Sequence, residues 1–172
     1  MTLLDRQLYD LNDPRKDAIL AFHEEFRDKI YAAKGSSHNH QNWEGGYSDH
    51  IADACQIARV LHYNLDHHFG AVPVSLDSAI VVLYFHDIEK IWKYTDGTLI
   101  DKCEWYHEIL PGRGILFSLE ELNALAYTHG EGDDYRKDAR VMNELAALCH
   151  AADNLSARMW HSRRIGHGTQ YE

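Results

Sequence analysis

The stretch Ser75-Leu76-Asp77-Ser78-Ala79-Ile80-Val81-Val82-Leu83-Tyr84-Phe85-His86-Asp87-Ile88-Glu89-Lys90-Ile91-Trp92-Lys93 decides the fold. Its middle, Ile80-Val81-Val82-Leu83, favours a strand, because branched side chains fit a pleated surface. The run nevertheless continues through His86 to Trp92 without a break, and Ser75 stands where a helix would need its N-cap. Length and cap together favour a buried helix. Working upstream, Ile51, Ala54, Ala58, Leu61 and Leu65 share one helical face and predict a helix over about 48–67. Residues 34–46 hold Gly35, Ser36, Ser37, Gly45 and Gly46 and read as a loop. Asp13 before Pro14, followed by Ile19, Phe22, Phe26 and Ile30, predicts a helix over about 14–33. Downstream, Thr95-Asp96-Gly97-Thr98 is a turn, and a short helix is expected from Leu99 to Leu110, broken by Pro111-Gly112-Arg113-Gly114. Ser118 and Glu121 form a capping box, with Phe117 and Leu122 as a hydrophobic staple, for a fifth helix ending near Gly130. A last helix is expected over about 138–160. The reading is an all-α, single-domain helical bundle with its core over about 14–160 and a basic C-terminal tail, 161–172.

Composition narrows the function. The chain has 172 residues, 45% apolar and 26% charged, which suits one folded domain rather than a disordered segment. The longest apolar run, Ala79 to Phe85, is too short to span a bilayer, and Met1 to Asp10 has no signal-peptide core. No membrane association and a cytoplasmic location are the expectations. Three cysteines without a CxxC pair argue against a disulfide framework and against a thiolate zinc site. A net charge of −10 opposes broad adhesion to nucleic acid, so no stable duplex binding is expected. Thirteen histidines and a surplus of carboxylates are what an imidazole–carboxylate metal site requires.

His86-Asp87 follows the most apolar stretch in the chain. A carboxylate there is costly unless it is neutralised, either by a metal ion or by a structural ion pair. Four further residues bear on that choice: His50 behind the Gly45-Gly46 pair, His107 in the fourth helix, His129 at the end of the fifth, and Asp153 within the last. Converging inward, these groups would supply four imidazoles and two carboxylates, enough for two octahedral divalent ions.

In this order the residues resemble the HD-domain metal-dependent phosphohydrolases, whose two-metal members carry His, His-Asp, His, His, Asp. The likeness extends to local context. His40-Gln41-Asn42-Trp43-Glu44-Gly45-Gly46-Tyr47-Ser48-Asp49-His50 is similar to the HH-x-x-x-GG-x-x-x-H segment of the branch that includes bacterial 3′-to-5′ exoribonucleases. Phe85-His86-Asp87-Ile88-Glu89-Lys90 resembles its HDIGK motif, and Ala151 to Met159 resembles its closing ADxLxAR segment. Two positions depart: Gln41 stands for the second histidine and Glu89 for the glycine of HDIG. Those exoribonucleases also carry an OB-fold ahead of the HD domain, for which these 172 residues leave no room, so a short substrate is expected.

The resemblance implies an HD-type bundle and a two-metal site. Asp87 would bridge the ions, with His50, His86 and Asp153 on one and His107 and His129 on the other. It implies hydrolysis of a phosphoester or phosphoanhydride bond of a nucleotide, dinucleotide or short oligonucleotide by a metal-activated hydroxide. Lys90, on the helical face shared by Asp87, would hold a phosphate oxygen. Mn2+ or Fe2+ is favoured by the N/O ligands, with Zn2+, Ni2+, Co2+ or Mg2+ as other choices. The same six ligands also serve HD-type mixed-valent di-iron oxygenases, and a non-catalytic nucleotide-binding module is a third reading.

Other residues have two readings each. His40, on the first histidine of the branch motif, lines a substrate entrance or a surface loop, as does His38. Trp43 stacks on a base or caps the core. Arg158, Arg163 and Arg164 form a basic end suited to phosphate or to solvent. Arg113 in its glycine-rich turn is a further phosphate candidate. His62, His67 and His68 suit a helix C-terminus, and His150 supports Asp153 or packs in the core. His23 is placed on the outer face of its helix, and Cys55 and Cys149 in the core. A homodimer is expected only from the general frequency of such assemblies.

Overall fold

The computed structural model describes residues 1–38, 40–159, 161–162 and 164. Of the basic tail, Arg163 and residues 165–172 lie outside them, as do Asn39 and Trp160. The described residues are all-α, with no strand among them and no helix long and apolar enough to cross a membrane.

The deciding stretch is helical but not in one piece: the helix ends at Phe85, residues 86–89 form turns, and a short helix follows only at Lys90–Lys93, so the uninterrupted helix expected through Trp92 is broken at His86-Asp87. The Ser75 hydroxyl accepts the Ser78 amide and starts a helix at Leu76–Phe85, which is α5 in chain order. Every side chain from Ala79 to Phe85 is buried. A helix apolar all round must be surrounded, and α5 is the central element, packed against α4 (Gly46–Phe69), α9 (Leu119–Tyr127) and α10 (Glu144–Met159). Each of its large side chains contributes about 1.5–3 kcal/mol by leaving water. Before α4 lie α1 (Leu3–Tyr9), α2 (Lys16–Glu25) and α3 (Arg27–Ala32). After α5 come the short α6 (Lys90–Lys93) and α7 (Lys102–Glu104), then a π-helical turn at Trp105–Ile109 and the short α8 (Leu110–Gly112).

Several boundaries differ from the sequence reading. The helix expected over 14–33 is two helices, because at Phe26 the backbone leaves helical values (φ −102°, ψ 14°). The Phe26 ring there packs 4.8 Å from Phe22 and 5.1 Å from Trp92. Asp13 does not cap a helix starting at Pro14; its carboxylate accepts the Arg15 amide and side chain, and Arg15 bridges on to Glu121. The last helix starts at Glu144 rather than near 138, where the Asn143 side chain accepts the Ala146 amide at 2.7 Å. Pro111 lies inside α8 instead of ending a helix. The capping box at Ser118 and Glu121 forms as expected.

The N-terminus carries a helix that the sequence reading left unassigned: in α1, Thr2 and Asp5 make a reciprocal capping box. This helix changes the place of His23. Expected on an outer face, His23 is buried, with Nε2 3.0 Å from Asp5 Oδ1 and Nδ1 3.0 Å from Tyr84 Oη. α1 supplies the cover that makes this face interior.

The loop before α4 closes around Gln41. Its carbonyl accepts the Gly35 amide at 3.0 Å and the Trp43 amide at 2.9 Å, and its own φ is +45°. A Cβ on Gly46 would stand 1.9 Å from that carbonyl oxygen, so only glycine fits at the second position of the Gly45-Gly46 pair. The tight loop fixes the start of α4, and with it the place of His50 one turn later.

Candidate metal centre

Three helices deliver the central groups. His50 projects from α4 and is fully buried, with Nδ1 3.0 Å from Ser156 Oγ and Nε2 3.0 Å from Asp153 Oδ1. His86 is the residue at which α5 ends, and its Nδ1 donates to the Leu83 carbonyl at 2.7 Å. That bond fixes the ring and turns Nε2 inward. Nε2 lies 3.4 Å from Asp87 Oδ2 and 3.3 Å from Asp153 Oδ1. Asp87 Oδ2 stands 4.0 Å from His50 Nε2, and its other oxygen is 3.4 Å from His129 Nε2. His50, His86 and Asp87 thus present ligand atoms within 4.8 Å of one another, and so do His86, His129 and Asp153.

Two of these atoms lack a directed partner. His86 Nε2 and Asp87 Oδ2 are buried and make no hydrogen bond, although both have oppositely charged neighbours. The Lys90 ammonium sits against Asp87 Oδ2 as an ion pair without hydrogen-bond alignment. Buried polar atoms are almost always hydrogen-bonded, so a pair of exceptions a few ångströms apart calls for a cause. A divalent ion, which takes lone pairs from imidazole nitrogen and carboxylate oxygen, fits this donor set. Lys90 marks the side on which positive charge is already accepted.

The electrostatics are those of a tightly coupled pocket. Burial alone would raise the carboxyl pKa values of Asp87 and Asp153. Against it, His86 together with His129 and Lys90 holds Asp87 well below the usual carboxylate range, and His50 and His86 do the same for Asp153. Burial opposes a charge on His86, and the two carboxylates outweigh it and push its pKa up to about 10. Burial dominates at His50, whose pKa is lowered despite Asp153.

Five of the six proposed ligands are therefore gathered: His50, His86, Asp87, Asp153 and His129, the last with its side chain 54% exposed at the mouth. His107 is in neither cluster; it lies on the exposed side of the π-helical turn. His40 is half-buried beside the cluster, its ring 5.2 Å from that of His50, and burial reinforced by His50 pushes its pKa down to about 4. The Trp43 indole donates to Asp49 Oδ2 at 2.9 Å, and the Arg164 guanidinium lies 5.4 Å from its ring. Arg158 and His38 are exposed. Arg113 pairs with Glu25, away from the cluster. His150 hydrogen-bonds to the Thr128 carbonyl at 2.8 Å, while His62 bonds to the Val74 carbonyl at 3.0 Å. Cys55 and Cys149 are buried as expected, and Cys103 is exposed.

Three supporting residues escaped the sequence reading. Ser156 orients His50, and a signal existed, since it follows Asp153 by one helical turn. Lys102 Nζ donates to the His86 carbonyl at 3.1 Å and lies 3.7 Å from Glu89 Oε2. Tyr106 donates to the Phe85 carbonyl at 2.9 Å. No local pattern announces Lys102 or Tyr106, which arrive from a different element.

Compared with family models, with curated proteins and with solved structures, the chain gives no match.

Proposed function

We propose that this chain is an HD-type metal-dependent phosphohydrolase acting on a nucleotide, a dinucleotide or a short oligonucleotide. The observation that carries the reading is the buried pair His86 Nε2 and Asp87 Oδ2, ion-paired but without a hydrogen bond inside a ring of His50, Asp153, His129 and Lys90. His50, His86, Asp87 and Asp153 would hold one ion. His129, on the second oxygen of Asp87, would begin a second site; His107, exposed and outside both clusters, would have to turn toward it to complete that site. Manganese and iron suit these nitrogen and oxygen ligands. When bound, such an ion lowers the pKa of its water from 15.7 to about 7 and so supplies hydroxide at neutral pH.

The chain's own groups do the rest. Lys90, already beside Asp87, attracts the anionic phosphoryl group and holds one of its oxygens at the mouth. The His40 ring, neutral at physiological pH, offers a hydrogen bond beside it. Trp43, fixed through Asp49, presents a ring on which a base can stack, worth about 1–3 kcal/mol.

The test is anaerobic purification, loading with Mn2+ or Fe2+, and a panel of nucleoside mono-, di- and triphosphates, cyclic dinucleotides and short oligonucleotides, with products separated by chromatography. Metal-dependent turnover without O2, lost in Asp87→Ala, is the expected result. Silence across the panel, with oxygen consumed on adding a small organic substrate to the iron form, would replace this reading by the di-iron oxygenase.

A further inference from the structure

The last carbonyls of a helix have no amide inside it to bond, and other groups must meet them. At the end of α5 each is met by a side chain. The His86 ring itself takes the Leu83 carbonyl, and the Tyr47 hydroxyl of α4 donates to the Tyr84 carbonyl at 3.2 Å. The other two donors come from beyond the turn that follows α6. Tyr106, buried in the π-helical turn, places its hydroxyl 2.9 Å from the Phe85 carbonyl and 3.3 Å from that of His86. Lys102, in α7, donates to the His86 carbonyl at 3.1 Å and has Glu89 as its ion-pair partner. In a helix continuing toward Trp92, the Phe85 and His86 carbonyls would accept the amides of Glu89 and Lys90, four residues on. Here the Lys90 amide bonds to the Asp87 carbonyl at 3.0 Å, and the Phe85 carbonyl receives the Ile88 amide at 3.1 Å. The acceptors that would carry the winding forward are held by another segment of the chain.

We propose that Lys102 and Tyr106 are positioning residues for the metal ligands: by holding the Phe85 and His86 carbonyls they turn the chain out of α5 at His86-Asp87 and set the aim of both side chains. This role presupposes that His86 and Asp87 are ligands, as proposed above. The His86 carbonyl and the Asp87 amide belong to one rigid peptide plane, so a bond to that carbonyl fixes the plane from which the Asp87 side chain departs. The bond to Leu83 sets the rotation of the His86 ring, while Lys102 and Tyr106 set where its backbone stands. Both act through the main chain. Lys102 has the stronger hold, because its cation is drawn to the negative end of α5 and a charged donor bonds more strongly than a neutral one. Tyr106 braces the same two carbonyls from the interior. A segment outside the ligand cluster thereby tunes how tightly the cluster holds its ion, as groups that orient metal ligands from behind commonly do.

The test reads metal binding rather than turnover. Metal-free protein is titrated with Mn2+ by calorimetry and with Co2+ by visible absorption, whose bands follow the geometry of the ligands. Lys102→Met with Tyr106→Phe should weaken Mn2+ binding by about tenfold or more and alter the Co2+ bands, while the helical circular dichroism persists. Lys102→Arg, which keeps a charged donor, should retain most of the affinity. Where the double variant fails to fold, Tyr106→Phe alone removes only a hydroxyl and should still weaken binding severalfold. Asp5→Asn is the control for lost stability, since it loosens the contacts of α1 with Arg27 and His23 and touches neither carbonyl. Its folded fraction should bind Mn2+ as the wild type does. Folded variants with wild-type Mn2+ affinity and unchanged Co2+ bands would overturn the positioning role and leave the metal centre standing. So would a loss of affinity that Asp5→Asn matches. A wild-type chain that takes up neither ion would overturn the metal centre itself, and this role with it.

Discussion

Asp5 and Asp87 are both buried carboxylates with a histidine beside them, yet their surroundings differ in kind. Asp5 receives two bonds from Arg27 at 3.0 Å each, one from the Tyr31 hydroxyl at 2.8 Å, one from the Thr2 amide at 2.7 Å, and the contact of His23 Nε2 at 3.0 Å. Asp87 is surrounded by His50, His86, His129 and Lys90, but no hydrogen bond is directed at its Oδ2. Both carboxyls have lowered pKa values, so charge alone does not separate them. What separates them is direction. Around Asp5 the donors point at lone pairs and the site is complete, as in a structural joint. Around Asp87 the positive groups make ion pairs but direct no hydrogen bond at Oδ2, which leaves room there for a further partner.

The comparison breaks most sharply under substitution. Asp87→Ala should lower turnover by at least ~10³-fold and remove bound metal, while the melting temperature of the metal-free protein holds or rises, as when a strained functional site is relieved. Elemental analysis and calorimetry on the same preparation check both halves. Asp5→Asn should do the reverse, costing about 3–5 kcal/mol in urea unfolding because Arg27 and His23 lose their partner, with the metal content of the folded fraction unchanged.

A smaller effect is expected at Lys90. Lys90→Ala should reduce kcat/KM by roughly 10–100-fold with metal content intact, about 1.4–2.8 kcal/mol of lost transition-state stabilisation. A loss of metal instead would make Lys90 a prop for Asp87. His107→Ala sharpens the count of ions: it should leave the first ion in place and lower the occupancy of a second, read by metal titration. The mildest contrast is with pH. The carboxyl of Asp5 is depressed on folding, so its contribution is present above the unfolded value of about 3.8 and fades as the pH falls below it. Urea midpoints should therefore drop between about pH 4 and pH 2 in the wild type and drop less in Asp5→Asn.

Much of this was legible in the sequence because it is local. Ser75, the capping box at Ser118 and the apolar run to Phe85 act within a few residues, and they form what they predict. His86 and Asp87 were legible because a charge after an apolar helix has few inexpensive places to go. The misses are non-local. His23 reads as exposed until α1 folds over it, and α1 is too short to announce itself by periodicity. The break at Phe26 follows from aromatic packing with Trp92, 66 positions away in the chain. Lys102 reaches the His86 carbonyl from beyond a turn, a contact that no spacing rule encodes.

The π-helical turn at Trp105–Ile109 has a consequence for how such a centre changes over generations. A turn of this kind holds one residue more than an α-helical turn and is rarely found away from a special position. Loss of a single codon within it would restore ordinary winding, because the wide turn is what absorbs the extra residue, and would change the aim of the side chains inside the turn. His107 sits inside that turn, so its aim relative to His129 is set by chain length as much as by side-chain identity. On the proposed reading, a ligand at the mouth would thus be gained or lost by insertion or deletion, while His50 and Asp153 stay on the helices behind it and His86 and Asp87 at the end of α5.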